Sequence, residues 1–318
     1  MVKSQIDALG IIFPNSYDNQ LPALCSERLM ASVPFASRYR MIDFILSSMV
    51  NCGIENISVI VRKNYRSLMR HLGSARSWDL SRKNGGLNLV PPFAEKTVKV
   101  YNGRVEALAS IIDFLKVQKE KYVFISDANI VTNFNYYAML EAHKTSGADV
   151  TIAYREEEIP EAFMNLQATV STDLYYTLRF DENGRVEHIH TNPKSQGIQN
   201  LSMNVYLIER ELLIEKIQHA YAHGYMYFER DILAPQLDNL RVHGFKYDGY
   251  TARITDIVSY YKENMRLLDD ENLDALFSPA PVYTRVRDDN PTRYIGSPQV
   301  KNCMVADGCV IEGSVENC

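Results

Sequence analysis

Arg28 and Arg40 flank the approach to a helix-period segment. Paired guanidinium groups in such a place suit a phosphate, because their fork of N–H donors matches its oxygens. The structural alternative pairs Arg40 with Asp43 and leaves Arg28 in solvent. Arg70 and His71 present a second cationic pair. It can meet a phosphate, yet the end of a helix also attracts cations through its carbonyl dipoles, and that reading is preferred. The five cysteines, at 25, 52, 303, 309 and 318, show neither a C-x-x-C metal knuckle nor a disulfide framework, which points to a reducing cytoplasm. Trp78 is the only tryptophan, and it precedes Asn84-Gly85-Gly86. That stretch reads as a mobile loop, with Trp78 as an interface candidate.

These groups need a scaffold. In the first two-thirds of the chain, short apolar runs (Ala8 to Phe13, Ile57 to Val61, Tyr122 to Ile125, Val150 to Ala153) alternate with helix-period segments (Met41 to Val50, Tyr65 to Leu72, Val105 to Val117, Tyr136 to His143). Apolar strands separated by helices predict crossover connections and a mostly parallel sheet covered on both faces, in an α/β domain. Ligands of such sheets sit beyond the carboxyl ends of the strands. Tyr175 to Phe180 and Arg185 to His190 flank Asp181-Glu182-Asn183-Gly184, a hairpin signal. Asn200 to Ile208 is a further strand, followed by helical segments from Glu209 and Arg230. Leu108, Ile111, Ile112 and Leu115 are assigned to the core.

After Ser278-Pro279-Ala280-Pro281 the pattern changes. Cys303, Cys309 and Val315 recur every sixth residue, as do Val305 and Ile311. A six-residue period suggests β-helix rungs, of which about three or more are needed for stability. The expected organisation is a domain over 1–278, a linker over 279–293, and first rungs over 294–318, the chain stopping inside its second domain. The 318 residues carry a formal net charge of −5, so there is no basic field for nucleic acid. No apolar run approaches the roughly 20 residues that cross a bilayer, and no secretory signal opens the chain. A cytoplasmic protein is expected.

The segment Ser32 to Leu72, with Tyr39-Arg40-Met41-Ile42-Asp43-Phe44 and Ser67-Leu68-Met69-Arg70-His71, resembles the ADP-glucose pyrophosphorylase (glucose-1-phosphate adenylyltransferase) family. Tyr101-Asn102-Gly103, Ser202-Met203, Arg230-Asp231-Ile232 and Ser259-Tyr260 follow in the family's order, and the terminal hexads fit its left-handed β-helix. The resemblance implies a Rossmann-like, GT-A-like nucleotidyltransferase domain with a mostly parallel mixed sheet. It also implies a reaction: glucose-1-phosphate attacks the α-phosphate of ATP to form ADP-glucose and pyrophosphate. That chemistry uses a glycine-rich phosphate loop, cationic side chains and carboxylates that hold Mg²⁺.

Set against the family's motifs, this chain departs at the chemistry. The loop G-G-x-G-T-R-L becomes Asn15, Ser16, Tyr17, Asp18, Asn19, Gln20 and Leu21. Its glycines are lost, Gln20 replaces the arginine, and Asp18 adds a negative charge where a polyanion would sit. The lysine of A-K-P falls at Met30 and that of E-K-P at Asn192, each loss worth about 1.5–3 kcal/mol of charge-assisted bonding. The catalytic aspartate of S-G-D-H aligns with Asn129. A slip of one or two residues would instead make Asp127 the carboxylate near the site. The second metal aspartate becomes Arg253, a charge reversal that repels Mg²⁺, while Asp256 faces elsewhere. By resemblance, Arg28 and Arg40 match positions that help bind phosphorylated activators. Tyr101, Gly103 and Glu106 match the nucleotide-binding segment, with Glu106 read chiefly as a first-turn helix residue.

The pattern resembles the family's non-catalytic regulatory branch, as do Pro281-Val282-Tyr283-Thr284 and Pro291-Thr292-Arg293-Tyr294. It implies a chain with no catalytic residue and no cofactor of its own, Mg²⁺ belonging to the partner. That partner is a catalytic glucose-1-phosphate adenylyltransferase subunit in a hetero-tetramer, with a phosphorylated-sugar effector and neither nucleic acid nor membrane. Two alternatives remain: an active adenylyltransferase with Asp127 as metal ligand, and a module that senses a sugar phosphate or nucleotide without turnover.

Overall fold

The first strand, β1 (Ala8–Phe13), is buried along its whole length. Ala8 and Ile12 pack into one core while Leu9, Ile11 and Phe13 pack into another, as alternation requires of a strand covered on both faces. This computed structural model describes residues 6–91, 101, 103–165, 174–286 and 288–318.

Around β1 the sheet is built from β2 (Asn56–Ile60), β3 (Gly86–Val90), β4 (Tyr122–Asp127), β5 (Val150–Glu158), β6 (Tyr176–Phe180), β7 (Val186–Thr191), β8 (Ile198–Glu209) and β9 (Val242–Lys246). On one side β1 pairs in parallel with β2, and β2 with β3. On the other, β1 pairs in parallel with β4, Phe13 opposite Asp127. The long strand β8 runs antiparallel to both β4 and β5, and β9 is parallel to β5. The hairpin β6–β7 joins the first half of β8, where Leu201 faces Thr177. The sheet is thus mixed and mostly parallel, as expected.

Helices α1 (Met41–Asn51), α2 (Arg66–Leu72), α3 (Arg104–Ala109), α4 (Ile112–Val117), α5 (Tyr136–Ser146), α6 (Arg210–Ala222), α7 (Ile257–Arg266) and α8 (Asp270–Phe277) accompany the sheet. Helix α1 is buried from Met41 to Val50. It lies so close that a Cβ on Gly10 would sit 2.7 Å from the Met49 sulfur. The single helix expected over 105–117 is two. Ser110 turns its hydroxyl back onto the Ala107 carbonyl at 2.8 Å, a local bond that competes with helix propagation. Leu108, Ile111, Ile112 and Leu115 are core, as expected.

Two expectations are corrected here. Asn84-Gly85-Gly86 is a tight turn into β3: Gly85 and Gly86 have φ of 73° and 81°, and Gly86 N–H donates to the Glu55 carbonyl at 2.7 Å. Trp78, expected at an interface, is 1% exposed, its ring centroid 5.7 Å from that of His71.

Residues 281–285 form a strap over α1 and α2. Asn51 Nδ2 donates to the Pro281 carbonyl at 2.7 Å, and Ser47 Oγ both donates to the Tyr283 carbonyl and accepts its N–H. Thr284 Oγ1 donates to Asp43 Oδ2 at 2.6 Å. Beyond the strap the chain coils. Arg293–Tyr294 pair in parallel with Val310–Ile311, and Val300–Lys301 with Val315–Glu316. Among the described residues, no helix is long and apolar enough to cross a membrane.

Candidate functional site

Strands β1, β2 and β4 end in Phe13, Ile60 and Asp127, and all three line a cleft at the carboxyl edge of the sheet. Its other walls come from Asn15 to Tyr17, Arg62, the start of α3 (Gly103, Arg104, Ala107), and Leu174, Tyr176, Tyr227 and Glu229. The place is the one expected for ligands of a parallel sheet.

At its floor Arg104 joins two carboxylates. Nη2 lies 2.7 and 2.9 Å from the oxygens of Asp127, and Nη1 is paired with Glu229 Oε1. The guanidinium also covers the rings of Phe13 and Tyr206, at 5.1 and 5.4 Å from their centroids. All three charged side chains are largely buried, at 14% exposure for Arg104, 2% for Asp127 and 5% for Glu229. Burial pushes the Asp127 carboxyl above its ordinary range, with Arg104 opposing and Glu229 adding to the rise. Burial likewise opposes the charge on Arg104, but Asp127 and Glu229 hold its pKa well above the ordinary value.

The loop after β1 contains no phosphate cradle. Tyr17 adopts the left-handed region, φ 65°, and buries its ring. Its hydroxyl donates to the Leu174 carbonyl at 2.6 Å and accepts from Asn204 Nδ2 at 3.0 Å. The ring stacks on Phe163 at 5.3 Å, and Phe163 stacks on Tyr175 at 4.8 Å. Aromatic side chains therefore fill space beside the loop. Asp18 corrects an expectation. Its carboxylate points inward, accepting the Met30 N–H at 2.7 Å and the Asn15 amide at 2.9 Å, so it is not a charge in the cleft. Gln20 closes the short 3-10 turn Asp18–Gln20 and is not among the cleft residues.

The other flagged positions are held by internal contacts outside the cleft. Met30 is fully buried, in the same core cluster as Val33, Phe35 and Phe44. Asn192 holds Tyr175 through two bonds: its Oδ1 accepts the Tyr175 N–H, and its own N–H donates to the Tyr175 carbonyl, both at 2.9 Å. Arg253 is paired with Glu157 at 2.7 Å and donates to the Ser202 carbonyl at 3.1 Å. Ala252–Arg253 also form a short antiparallel ladder with Ile130–Val131. Asn129, expected at the catalytic aspartate, is fully buried outside the cleft, and Asp127 is the side chain at the cleft. The strand decides this, since β4 ends at Asp127. Asp256 faces elsewhere, as expected, capping α7 through the Ser259 N–H at 2.6 Å.

Tyr101 is a correction too. It is buried, its hydroxyl lies 3.0 Å from Ser110 Oγ, and it belongs to the core. Gly103 does reach the cleft, but its missing side chain serves packing: a Cβ would lie 2.3 Å from the Met226 carbonyl oxygen. Glu106 stands in the first turn of α3, and Asn102 lies outside the described residues. Arg104 and Glu229 were not singled out in the sequence, although each neighbours a matched motif (Gly103, and Arg230-Asp231).

A second pocket opens between α2 and the strap, lined by Glu27, Arg40, Arg66, Arg70, Arg285 and Asp289, with Ser67, His71, Val286 and Asp288. Arg40 does not pair its guanidinium with Asp43 as the structural reading had it. Nη1 donates to Ser67 Oγ at 2.9 Å, while Asp43 accepts the Arg40 backbone N–H. Asp43 instead binds His71 Nε2 at 2.5 Å. His71 is therefore a buried partner of α1 rather than a solvent-facing cation at a helix end. Arg28 is half-buried and not among this pocket's residues.

A family model described as nucleotidyl transferase matches residues 17–269. A glycogen biosynthesis protein GlgD of Geobacillus stearothermophilus is 35% identical over 97% of this chain and 78% of its own length. The protein of the same name in Bacillus subtilis (strain 168) is 30% identical over 98% and 78%. A glucose-1-phosphate adenylyltransferase of Mycoplasma mobile is 29% identical over the full chain and 81% of its own length.

Proposed function

The chain belongs to the nucleotidyl transferase family, in the group that holds the glucose-1-phosphate adenylyltransferases and GlgD, and on that premise we propose that it is a non-catalytic regulatory subunit supporting ADP-glucose synthesis in glycogen biosynthesis. The observation that carries this reading is the triad of Arg104, Asp127 and Glu229. Adenylyl transfer needs free carboxylates for Mg²⁺. Here the one carboxylate at the end of β4 is taken by an internal guanidinium, and Arg253 is locked to Glu157. Among the described residues no three His, Cys, Asp or Glu side chains converge on a metal. The residues present do not fit Mg²⁺. This also counts against an active enzyme that uses Asp127 as metal ligand.

The subunit would act on a catalytic partner in a hetero-oligomer. Exposed apolar side chains on α7 (Ile257, Val258, Tyr261) and on the terminal coils (Val300, Val310) support contact through those flanks. The terminal coils are assigned to the first rungs of a left-handed β-helix, their parallel pairing supporting that reading. The pocket carrying Arg40, Arg66, Arg70 and Arg285 suits a phosphorylated-sugar effector.

The test is ADP-glucose synthesis by the chain alone and mixed with the catalytic subunit of the same organism, with Mg²⁺ and excess substrates. No turnover alone, with a raised partner rate or apparent substrate affinity, is the expected result. Robust turnover by the chain alone overturns it.

A further inference from the structure

The last turn of helix α6 and its C-cap read His219-Ala220-Tyr221-Ala222-His223. A spacing of four places both imidazoles on one helix face, the spacing that H-E-x-x-H sites use to bind zinc. Both rings are exposed, with centroids 4.2 Å apart and planes 27° from parallel. His223 Nδ1 lies 2.7 Å from the His219 carbonyl oxygen. A carbonyl only accepts, so Nδ1 carries the proton and the lone pair of the neutral ring is left on Nε2. Metal-bound imidazoles are typically held this way, one nitrogen anchored by a carbonyl and the other free to ligate. Gly224, with φ 73°, turns the chain so that Tyr225 closes over the pair, its ring 5.9 Å from His223 and 6.4 Å from His219.

We propose that His219 and His223 form a surface site for a borderline-soft divalent cation such as Zn²⁺, Ni²⁺ or Cu²⁺. Nitrogen ligands favour these ions over Mg²⁺, which prefers oxygen. Because no three such ligands converge among the described residues, water completes the coordination and the ion exchanges freely. The site is independent of the cleft chemistry, although Tyr227, four residues after His223, lines the cleft.

A second histidine pair provides an internal control. His188 and His190 lie on one face of β7, exposed, with ring centroids 5.8 Å apart, but neither has a carbonyl anchor among the described residues. The probe is Cu²⁺, the strongest binder of the divalent series, titrated into untagged full chain by calorimetry and electron paramagnetic resonance. The expected result is a two-nitrogen Cu²⁺ centre for which excess Zn²⁺ competes and millimolar Mg²⁺ does not. His219→Ala and His223→Ala should each weaken binding by about tenfold or more, while the double variant His188→Ala/His190→Ala binds as the parent does. All four side chains are exposed, so circular dichroism should be unchanged. Binding that survives His219→Ala/His223→Ala, or that is lost with His188→Ala/His190→Ala, overturns the proposal.

Discussion

Arg104 is the residue on which the cleft turns. Two buried carboxylates at the end of β4 and in the turn beginning at Phe228 would repel each other without it, and its own burial is tolerated only because both are there. Removing one partner of a buried ion pair costs about 3–5 kcal/mol, so Arg104→Met should lower unfolding stability in urea by about that amount. Arg104→Met/Asp127→Asn/Glu229→Gln removes the uncompensated charge and should recover most of it. A loss below about 1 kcal/mol in the single variant would mean that water, not Arg104, neutralises the carboxylates. The triad was legible in the sequence only by its neighbours. Asp127 was noted as the alternative to Asn129, but a gap-free alignment cannot choose between residues two apart. The end of β4 chooses. Arg104 and Glu229 carry no motif, and they meet across 125 positions of sequence, which no local pattern reveals.

Strands and helices were legible wherever burial imposes a period. The alternating faces of β1, the β6–β7 hairpin and the extent of α1 all follow from side-chain pattern. Elements decided by tertiary contact were not. β3 and β9 are short, mostly half-buried strands that form by adding to an existing edge, and Tyr101 looks like a ligand residue until the core closes around it. Helix α5 shows what such burial costs in charge. His143 is nearly inaccessible, with Nδ1 2.8 Å from Thr151 Oγ1, and burial lowers its pKa from the ordinary 6.5 to about 4. The unfolded chain therefore takes up a proton near pH 6.5 while the folded one stays neutral until about pH 4. This contribution is complete above pH 6.5 and is lost as pH falls through that window, with a slope of at most about 1.4 kcal/mol per pH unit. His143→Gln should flatten that part of the stability profile in urea titrations between pH 4.5 and 7. An unchanged slope would show that other groups set it.

At the scale of the molecule, the strap decides whether the terminal coils are held to the α/β domain or merely tethered. Its bonds fall on α1, the helix buried most completely, and one of them ends on Asp43, which also holds His71 and caps α1. A hydroxyl bonded to a charged acceptor contributes about 1.5–3 kcal/mol. Thr284→Val keeps the shape and removes that bond. Local stability is not uniform across a fold, and elements with few buried apolar contacts open first. The strap and coils are mostly exposed or half-buried, whereas β1 and β4 are not. Hydrogen exchange in Thr284→Val should therefore accelerate in residues 281–286 and in the coils after 290, while amides of β1 and β4 exchange as before. The same variant should weaken any effect of ligands bound beside Arg40 and Arg285, because the strap forms one wall of that pocket. Acceleration spread evenly over β1 and β4 would instead mean that strap and domain unfold as one cooperative unit, and that the pocket is as rigid as the core beneath it.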